Sequence, residues 1–278
     1  MAMAAELHGS NASAQSSASR IVRVGVMRDM AAAEKIWRTF EGTDFLSTPY
    51  QRFELLDVWQ KTIGKDEGAA PFVVAAYDVD NQPLALLPLA ISRENGANVA
   101  RFMGGKHPTF NMGLWRRDFA ETFSAADMDA LIAGIRTLPD RVDVLALTQQ
   151  PKQWRGIPNP LVLPGAQPST NSCPMMTMVP GCKPEERISA STRRRLRNKE
   201  RKLQALPGYR YFVASADEDI NRLLDSFFVI KPNAWRYRSC RTCFRTPRPR
   251  LSSATHVWRN FRTASVPSSF MRWNATMN

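Results

Sequence analysis

The chain lacks aspartate, glutamate and lysine in its last 47 residues, although that segment contains nine arginines. The first 231 residues, by contrast, carry 29 basic and 25 acidic side chains. A folded domain rarely loses every acidic residue at one point, and residues 232–278 also lack the apolar period of a helix or a strand. We therefore predict that residues 232–278 form a disordered, irregular Arg-rich tail that is read out of frame after Lys231. The alternative is a genuine basic interaction tail.

Long apolar runs are also missing. No stretch of about 18 apolar residues occurs, so we expect no membrane-spanning helix and no membrane partner. Residues 1–20 are rich in alanine and serine and have no apolar core of the kind found in signal peptides, which predicts a flexible leader. Four cysteines in 278 residues do not indicate a disulfide scaffold. Together these absences predict a cytoplasmic protein.

Most of the excess positive charge lies in the tail. The whole chain has a formal net charge of +13, whereas the counts above leave +4 for residues 1–231. So small an excess of positive charge does not indicate a nucleic-acid-binding surface on the folded part, and we do not expect a nucleic-acid partner. Cys240 and Cys243 have the spacing of metal ligands, but the pair stands alone in the tail, so we expect no metal.

Apolar periodicity predicts an α/β unit over residues 21–180. Predicted helices begin at the capping residues Asp29, Thr48 and Ser124. The polar turn at residues 78–83 joins two apolar runs into an antiparallel hairpin. The order of these elements predicts a mixed sheet flanked by helices. The predicted strands are residues 21–27, 72–77, 84–91, 98–103, 142–147 and 175–179.

A second unit is predicted over residues 183–231. Pro184 opens a helix that ends before Pro207-Gly208, and its leucines fall on one side. Residues 209–214 read as a strand. Ser215 and Glu218 then have the spacing of a capping box before a helix with apolar residues at helical spacing.

These landmarks, in this order, resemble the CelD-type cellulose-biosynthesis proteins, which are acetyltransferases of the GNAT superfamily with two α/β units. No single motif is diagnostic, and the weight comes from the order. The matching segments are residues 31–37 (AAAEKIW), 48–50 (TPY) leading to Trp59, the hairpin with residues 82–89 (QPLALLPL), 104–111 (GGKHPTFN), 191–197 (STRRRLR) and 224–231 (LDSFFVIK).

The resemblance covers about residues 21–231. It implies a first GNAT-like unit at 21–180 and the incomplete start of a second at 183–231. It also implies acyl-CoA-dependent N-acyl transfer, with acetyl-CoA or another acyl-CoA as co-substrate and an amine as acceptor, tied to cellulose or exopolysaccharide biosynthesis. Proteins of this type continue well past residue 231, so we expect the activity of this chain to be impaired.

Arg193, Arg194 and Arg197 are candidate ligands of the CoA phosphates. They lie between Lys183 and Lys202, where nine side chains are basic and three are acidic. Guanidinium groups bind phosphate or carboxylate through paired hydrogen bonds. The same charges would also suit an acidic sugar or nucleic acid, or they could form a solvated helix face.

The loop at residues 104–111 contains two further candidates. His107 could take the proton of an amine nucleophile, and Asn111 could bind a polar substrate. Residues 101–106 invite comparison with the GNAT pyrophosphate loop, but Lys106 stands where that loop has a small residue, so we expect a simple glycine turn. The catalytic residue is left unassigned.

Two alternatives to an enzyme remain. The first is a non-enzymatic binder of anionic polymers that uses residues 193–202 and the basic tail. The second is a remnant with no function. CoA binding distinguishes these classes: we expect the chain as written to bind acetyl-CoA weakly or not at all, and a version with a restored reading frame to bind it.

Overall fold

The computed structural model describes residues 18–105, 108–163, 165–169, 173, 176 and 179–236, with backbone alone for residues 184 and 231–236. Most of the predicted leader, most of the predicted strand at 175–179, His107 and the tail beyond residue 236 lie outside the described residues. The chain divides into two units between Pro168 and Ser169. Among the described residues, no helix has the length and apolarity needed to cross a bilayer.

The first unit alternates strands and helices. Its helices are α1 (Met30–Thr39), α2 (Phe53–Trp59), α3 (Arg117–Thr122) and α4 (Ala125–Arg136). Its strands are β1 (Arg23–Met27), β2 (Phe45–Leu46), β3 (Ala70–Tyr77), β4 (Pro83–Glu94), β5 (Ala97–Phe102), β6 (Leu114–Arg116), β7 (Val144–Ala146), β8 (Gln153–Trp154) and β9 (Ile157–Pro158).

The main sheet has the order β1-β3-β4-β5-β7. Its neighbours are antiparallel except β5 and β7, which pair in parallel. β6 adds to β4 and carries β2 at its outer side. This mixed sheet confirms the predicted α/β architecture and the predicted hairpin of β3 and β4.

Helices cover both faces of the sheet. Because neighbouring strand residues point to opposite faces, Val73 and Val74 belong to two different cores. One core contains Trp37 of α1 and Phe53, Leu56 and Trp59 of α2. The other contains Phe119 of α3 and Leu131 of α4. The mixed sheet is thus flanked by helices, as predicted.

Side-chain caps explain where α1 and α4 begin. The carboxylate of Asp29 accepts a hydrogen bond from the N–H of Ala31 at 2.9 Å. Ser124 and Asp127 form a reciprocal box, in which Ser124 Oγ accepts from Asp127 N at 3.2 Å and Asp127 Oδ2 accepts from Ser124 N at 3.0 Å. Each cap satisfies N–H groups that a helix leaves without partners, which confirms both predicted starts.

Two other expectations for this unit need correction. The predicted strand at 142–147 is shorter, covering Val144–Ala146; it lies at the edge of the sheet beside β5, and Val144 is 45% exposed. Thr48 caps a single turn of 3₁₀-helix, Pro49–Gln51, and α2 begins after it at Phe53. The proline-rich connection after β7 contains the short β8–β9 hairpin.

The second unit contains two long helices, α5 (Ala190–Gln204) and α6 (Asp217–Arg236). The helix predicted from Pro184 is interrupted: Pro184–Arg187 forms one 3₁₀ turn, and Ser189 then caps α5 by accepting from Thr192 N. α6 continues to Arg236, past Lys231, where the tail was predicted to begin.

The strand predicted at residues 209–214 is wrong. These residues have no regular secondary structure, and the described part of the second unit contains no strand. A strand is stabilised by pairing with a neighbour, so a β-rich run without a partner in reach cannot form one.

Candidate functional site

The C-terminal ends of β5 and β7 form one candidate site. The two strands pair in parallel from Val99–Val144 to Arg101–Ala146, so the segments that follow them leave the sheet at the same edge. The following segments meet again where Asn111 N donates to Gln149 O at 2.8 Å. Ligands of open α/β sheets bind outside the carboxyl ends of parallel strands, and Asn111 lies there.

Asn111 is buried with an unused acceptor. It is 2% exposed, and its Nδ2 lies 3.5 Å from Gln149 Oε1. Its Oδ1 has no hydrogen-bond partner in the described part of the chain. Leaving such an atom unsatisfied costs about 1–3 kcal/mol, so Asn111 favours a bound group that donates a hydrogen bond. Gln149 has a φ of 58°, an uncommon conformation for a non-glycine residue.

Three half-buried aromatic rings hold the loop that contains Asn111. The ring of Phe110 contacts Tyr50 at a centroid distance of 5.0 Å and Trp154 at 5.3 Å. Tyr50 OH donates to Thr109 Oγ1 at 2.8 Å, and Trp154 Nε1 donates to Ser47 O at 3.0 Å. These contacts join segments that are far apart in sequence and fix the loop on the sheet edge.

The glycines that precede this loop make a turn. Gly104 and Gly105 have φ of 90° and 55°. A Cβ on Gly104 would lie 2.5 Å from Pro108 Cγ, so the turn is closely packed. Arg101 forms a two-point ion pair with Glu94 at 2.8 and 3.0 Å. The expected glycine turn is therefore present; Lys106 and His107 lie outside the described residues.

The second candidate site is α5. Ser189 caps its start, and arginine, lysine, leucine and glutamine, all good helix formers, continue it. The helix contains seven basic residues and one acidic residue, and none of its side chains is buried. α5 therefore presents a net positive charge to solvent along its whole length.

An open surface groove follows one face of α5, and all of the residues that line it belong to this one helix. Four of its lining side chains are cationic: Arg194, Arg195, Lys199 and Lys202. None of the four has an acidic partner within the described part of the chain. The remaining lining residues are Ala190, Ser191 and Asn198. All seven recur at intervals of three and four residues, as expected for one face of a helix.

The three predicted arginines of α5 do not share this face. Arg194 lines the groove. Arg193 turns back and donates through Nη1 to Glu185 O at 2.7 Å, which ties it to the preceding turn. Arg197 is exposed outside the lining set.

The predicted CoA ligands do not include three of the groove cations, Arg195, Lys199 and Lys202, although all three lie in the segment 193–202 of the anionic-polymer alternative. The signal that could have identified them is the helical period itself, since about 3.6 residues complete one turn and Arg195, Lys199 and Lys202 are spaced by four and three. Gln149 and Trp154, which hold the loop of Asn111, carried no comparable local signal.

A family model matches part of the chain. Residues 190–263 match the family model described as "Acetyltransferase (GNAT) domain". Residues 190–263 are GNAT acetyltransferase-like. The match begins at the first residue of α5 and includes the whole groove. Its range crosses Lys231, and the frameshift stays a prediction.

Neither the curated proteins nor the solved structures contain a match to this chain. Within the described ranges, no group of three or more His, Cys, Asp or Glu side chains is placed to hold a metal ion. The functional assignment therefore rests on the GNAT-like segment and on the two sites described above.

Proposed function

We propose that this protein belongs to a lineage of acyl-CoA-dependent N-acyltransferases. The observation that carries the proposal is the match of residues 190–263 to the GNAT acetyltransferase domain. The co-substrate is acetyl-CoA or another acyl-CoA, and the acceptor is an amine. A link to cellulose or exopolysaccharide biosynthesis and a cytoplasmic location are parts of the same proposal.

The reaction needs three things from the protein. The amine attacks the thioester carbonyl, so a C–N bond forms, the C–S bond breaks, and CoA leaves as the thiol after the amine has lost a proton. The enzyme must orient the two reactants, stabilise the developing oxyanion and give the proton a route. No described residue is assigned to the oxyanion, and His107 remains the candidate for the proton.

The two sites suit binding roles. Asn111 Oδ1 accepts a hydrogen bond, so it can hold an N–H or O–H group of a polar acceptor. Arg194 can bind a CoA phosphate, because its guanidinium has no acidic partner in the described chain. Arg193 and Arg197 contribute to the local positive charge.

An amine-dependent thiol-release assay tests the proposal. The 278-residue chain and a version with the reading frame restored after Lys231 are incubated with acetyl-CoA and a panel of primary amines, and free CoA thiol is measured. We expect the restored version to release thiol above the protein-free rate with at least one amine, and the 278-residue chain to release less. No amine-dependent release and no acetyl-CoA binding by either version would contradict the acyltransferase assignment.

A second candidate function is binding of anionic polymers through α5. It is favoured by the four groove cations, which have no acidic partner among the described residues. Such binding is salt-sensitive, because it releases counterions. Inorganic polyphosphate binding that weakens with salt, in the absence of acetyl-CoA binding, would favour this function. Absence of both kinds of binding would favour a remnant with no function.

A further inference from the structure

We infer that the carboxamide of Asn111 binds a primary carboxamide group of an uncharged ligand through two hydrogen bonds, and that Gln149 covers this site in the free protein. The inference narrows the ligand class at the carboxyl ends of β5 and β7, and it rests on the binding role of Asn111 in the proposed function. The site lies within the first unit and includes no residue of α5.

Asn111 offers a hydrogen-bond acceptor and a donor side by side. Its Oδ1 has no hydrogen-bond partner among the described residues, and its Nδ2 lies 3.5 Å from Gln149 Oε1. That separation exceeds the usual length of an N–H···O bond, about 2.7–3.2 Å. A primary carboxamide has the complementary pair, because its N–H can donate to Oδ1 while its C=O accepts from Nδ2. Two such bonds satisfy a side chain that is only 2% exposed.

Gln149 is the side chain that a ligand displaces. Its backbone is held, since Gln149 O accepts from Asn111 N at 2.8 Å, whereas its side chain is exposed. Its φ of 58° is a costly conformation for a non-glycine residue, and such conformations are concentrated at ligand-binding sites. The Gln149 carboxamide approaches Asn111 Nδ2 and leaves Oδ1 unused, so it fills half of the site. A ligand carboxamide, which the chain does not tether, can fill both halves.

The side chains around the site are uncharged. Residues 109–111 are contacted by Tyr50, Gln51, Gln149 and Trp154, none of which carries a charge. Burial of an ion without an opposite charge costs far more than burial of a neutral dipole. The half-buried ring of Phe110, next to Asn111 in sequence, can contact an apolar part of the ligand. The site therefore favours a neutral amide over a carboxylate or an amidinium of the same shape.

This ligand class also has a consequence for the proposed reaction. A carboxamide nitrogen is a poor nucleophile, because its lone pair is delocalised into the carbonyl group. Asn111 therefore holds the acceptor by a group other than the reacting amine, and the acceptor carries both an amine and a carboxamide.

Benzamide, benzoate and benzamidine test the inference, because the three have nearly the same shape and differ in their hydrogen-bonding groups. Benzoate only accepts and protonated benzamidine only donates, so each leaves one half of the Asn111 carboxamide unpaired. Titrations of the 278-residue chain are followed by NMR through the side-chain NH₂ signals of Asn111, which are assigned by their loss in Asn111→Asp or Asn111→Leu. We expect benzamide to bind at least about fivefold more tightly than either ion, since an unpaired buried group is costly.

Two variants test the roles of the two amides. Gln149→Ala should raise the affinity for benzamide about threefold, because it removes the competing side chain. Gln204→Ala, which truncates an exposed glutamine of α5, is the matched control and should leave that affinity unchanged. Asn111→Asp replaces the donor with a second acceptor, so it should reverse the order and favour benzamidine over benzamide. Circular dichroism checks that the variants fold.

No binding of benzamide, equal binding of the three ligands, or equal effects of Gln149→Ala and Gln204→Ala would overturn the inference, even if Asn111→Asp does not fold. Each of these results leaves the acyl-CoA proposal standing, because acetyl-CoA binding and thiol release are measured without these ligands. Tighter binding of cis-cyclohexane-1,2-diol than of benzamide would overturn the carboxamide assignment in favour of a vicinal diol.

Discussion

Replacing Asp127 with alanine should destabilise the first unit by several kcal/mol. Asp127 is 3% exposed, and its carboxylate accepts four hydrogen bonds. Two come from Ser124, through N at 3.0 Å and Oγ at 2.7 Å. The other two come from the segment before β1, through Ser19 Oγ and Arg20 N, both at 2.9 Å. One side chain thus caps α4 and ties down the start of the fold.

The magnitude follows from these contacts. Loss of a helix cap costs about 1 kcal/mol, and each hydrogen bond to a charged group contributes about 1.5–3 kcal/mol. The bonds share one carboxylate and are not additive, so we expect Asp127→Ala to lower the free energy of unfolding by about 3 kcal/mol. Ser124→Ala keeps the bonds to Ser19 and Arg20, so it should cost about 1 kcal/mol.

Urea unfolding followed by circular dichroism measures both changes. Adding Ser19→Ala to each variant isolates the hydrogen bond between Ser19, in the segment before β1, and Asp127 of α4. Ser19→Ala should have an effect in the Ser124→Ala background and almost none in the Asp127→Ala background. A loss below about 0.5 kcal/mol for Asp127→Ala, typical of an ordinary surface change, would refute this account of the network.

Desolvation raises the pKa of Asp118, but hydrogen bonds from Arg116 and Arg20 outweigh it and lower that pKa to about 2. The ionised carboxylate therefore stabilises the fold fully above the ordinary pKa of 3.8, and this stabilisation is lost as the pH falls towards 2. The acid unfolding of Asp118→Asn should lack this pH dependence, and an unchanged profile would contradict the prediction. Phe227→Ser should raise the soluble fraction measured by light scattering, because Leu223, Phe227 and Ile230 form an exposed apolar face of α6. Phe228→Ser, at a half-buried position, should raise it less, and equal effects would argue against that face. Sequencing the gene beyond the Lys231 codon should show a shifted reading frame, and an intact frame would contradict the frameshift.

Local signals predicted much of the first unit. Asp29 and Ser124 were identified as caps because a cap depends on residues only two or three positions away. The β3–β4 hairpin was predictable because its turn chemistry lies between two apolar runs. The strand at residues 209–214 was predicted wrongly because propensity does not show whether a partner strand exists.

The candidate sites were predictable only in part. Asn111 was a candidate from its loop, but its burial depends on Gln149 and on the Trp154 ring, which approach from distant positions. Along α5 the charge density was evident, while the groove depends on which charges share a face. The hydrogen bond from Arg193 to the carbonyl of Glu185 was not predictable, because it depends on the turn that brings the two residues together.

Acetyl-CoA titration by calorimetry tests the central claim most directly, on the 278-residue chain and on a version with the reading frame restored after Lys231. Near physiological salt the screening length is about 8 Å, so exposed charges such as Arg194 attract phosphates weakly. We predict weak, salt-sensitive binding by the 278-residue chain and tight, saturable binding by the restored version. Tight, salt-resistant binding by the 278-residue chain would contradict the predicted impairment, and no binding by either version would contradict the acyltransferase assignment.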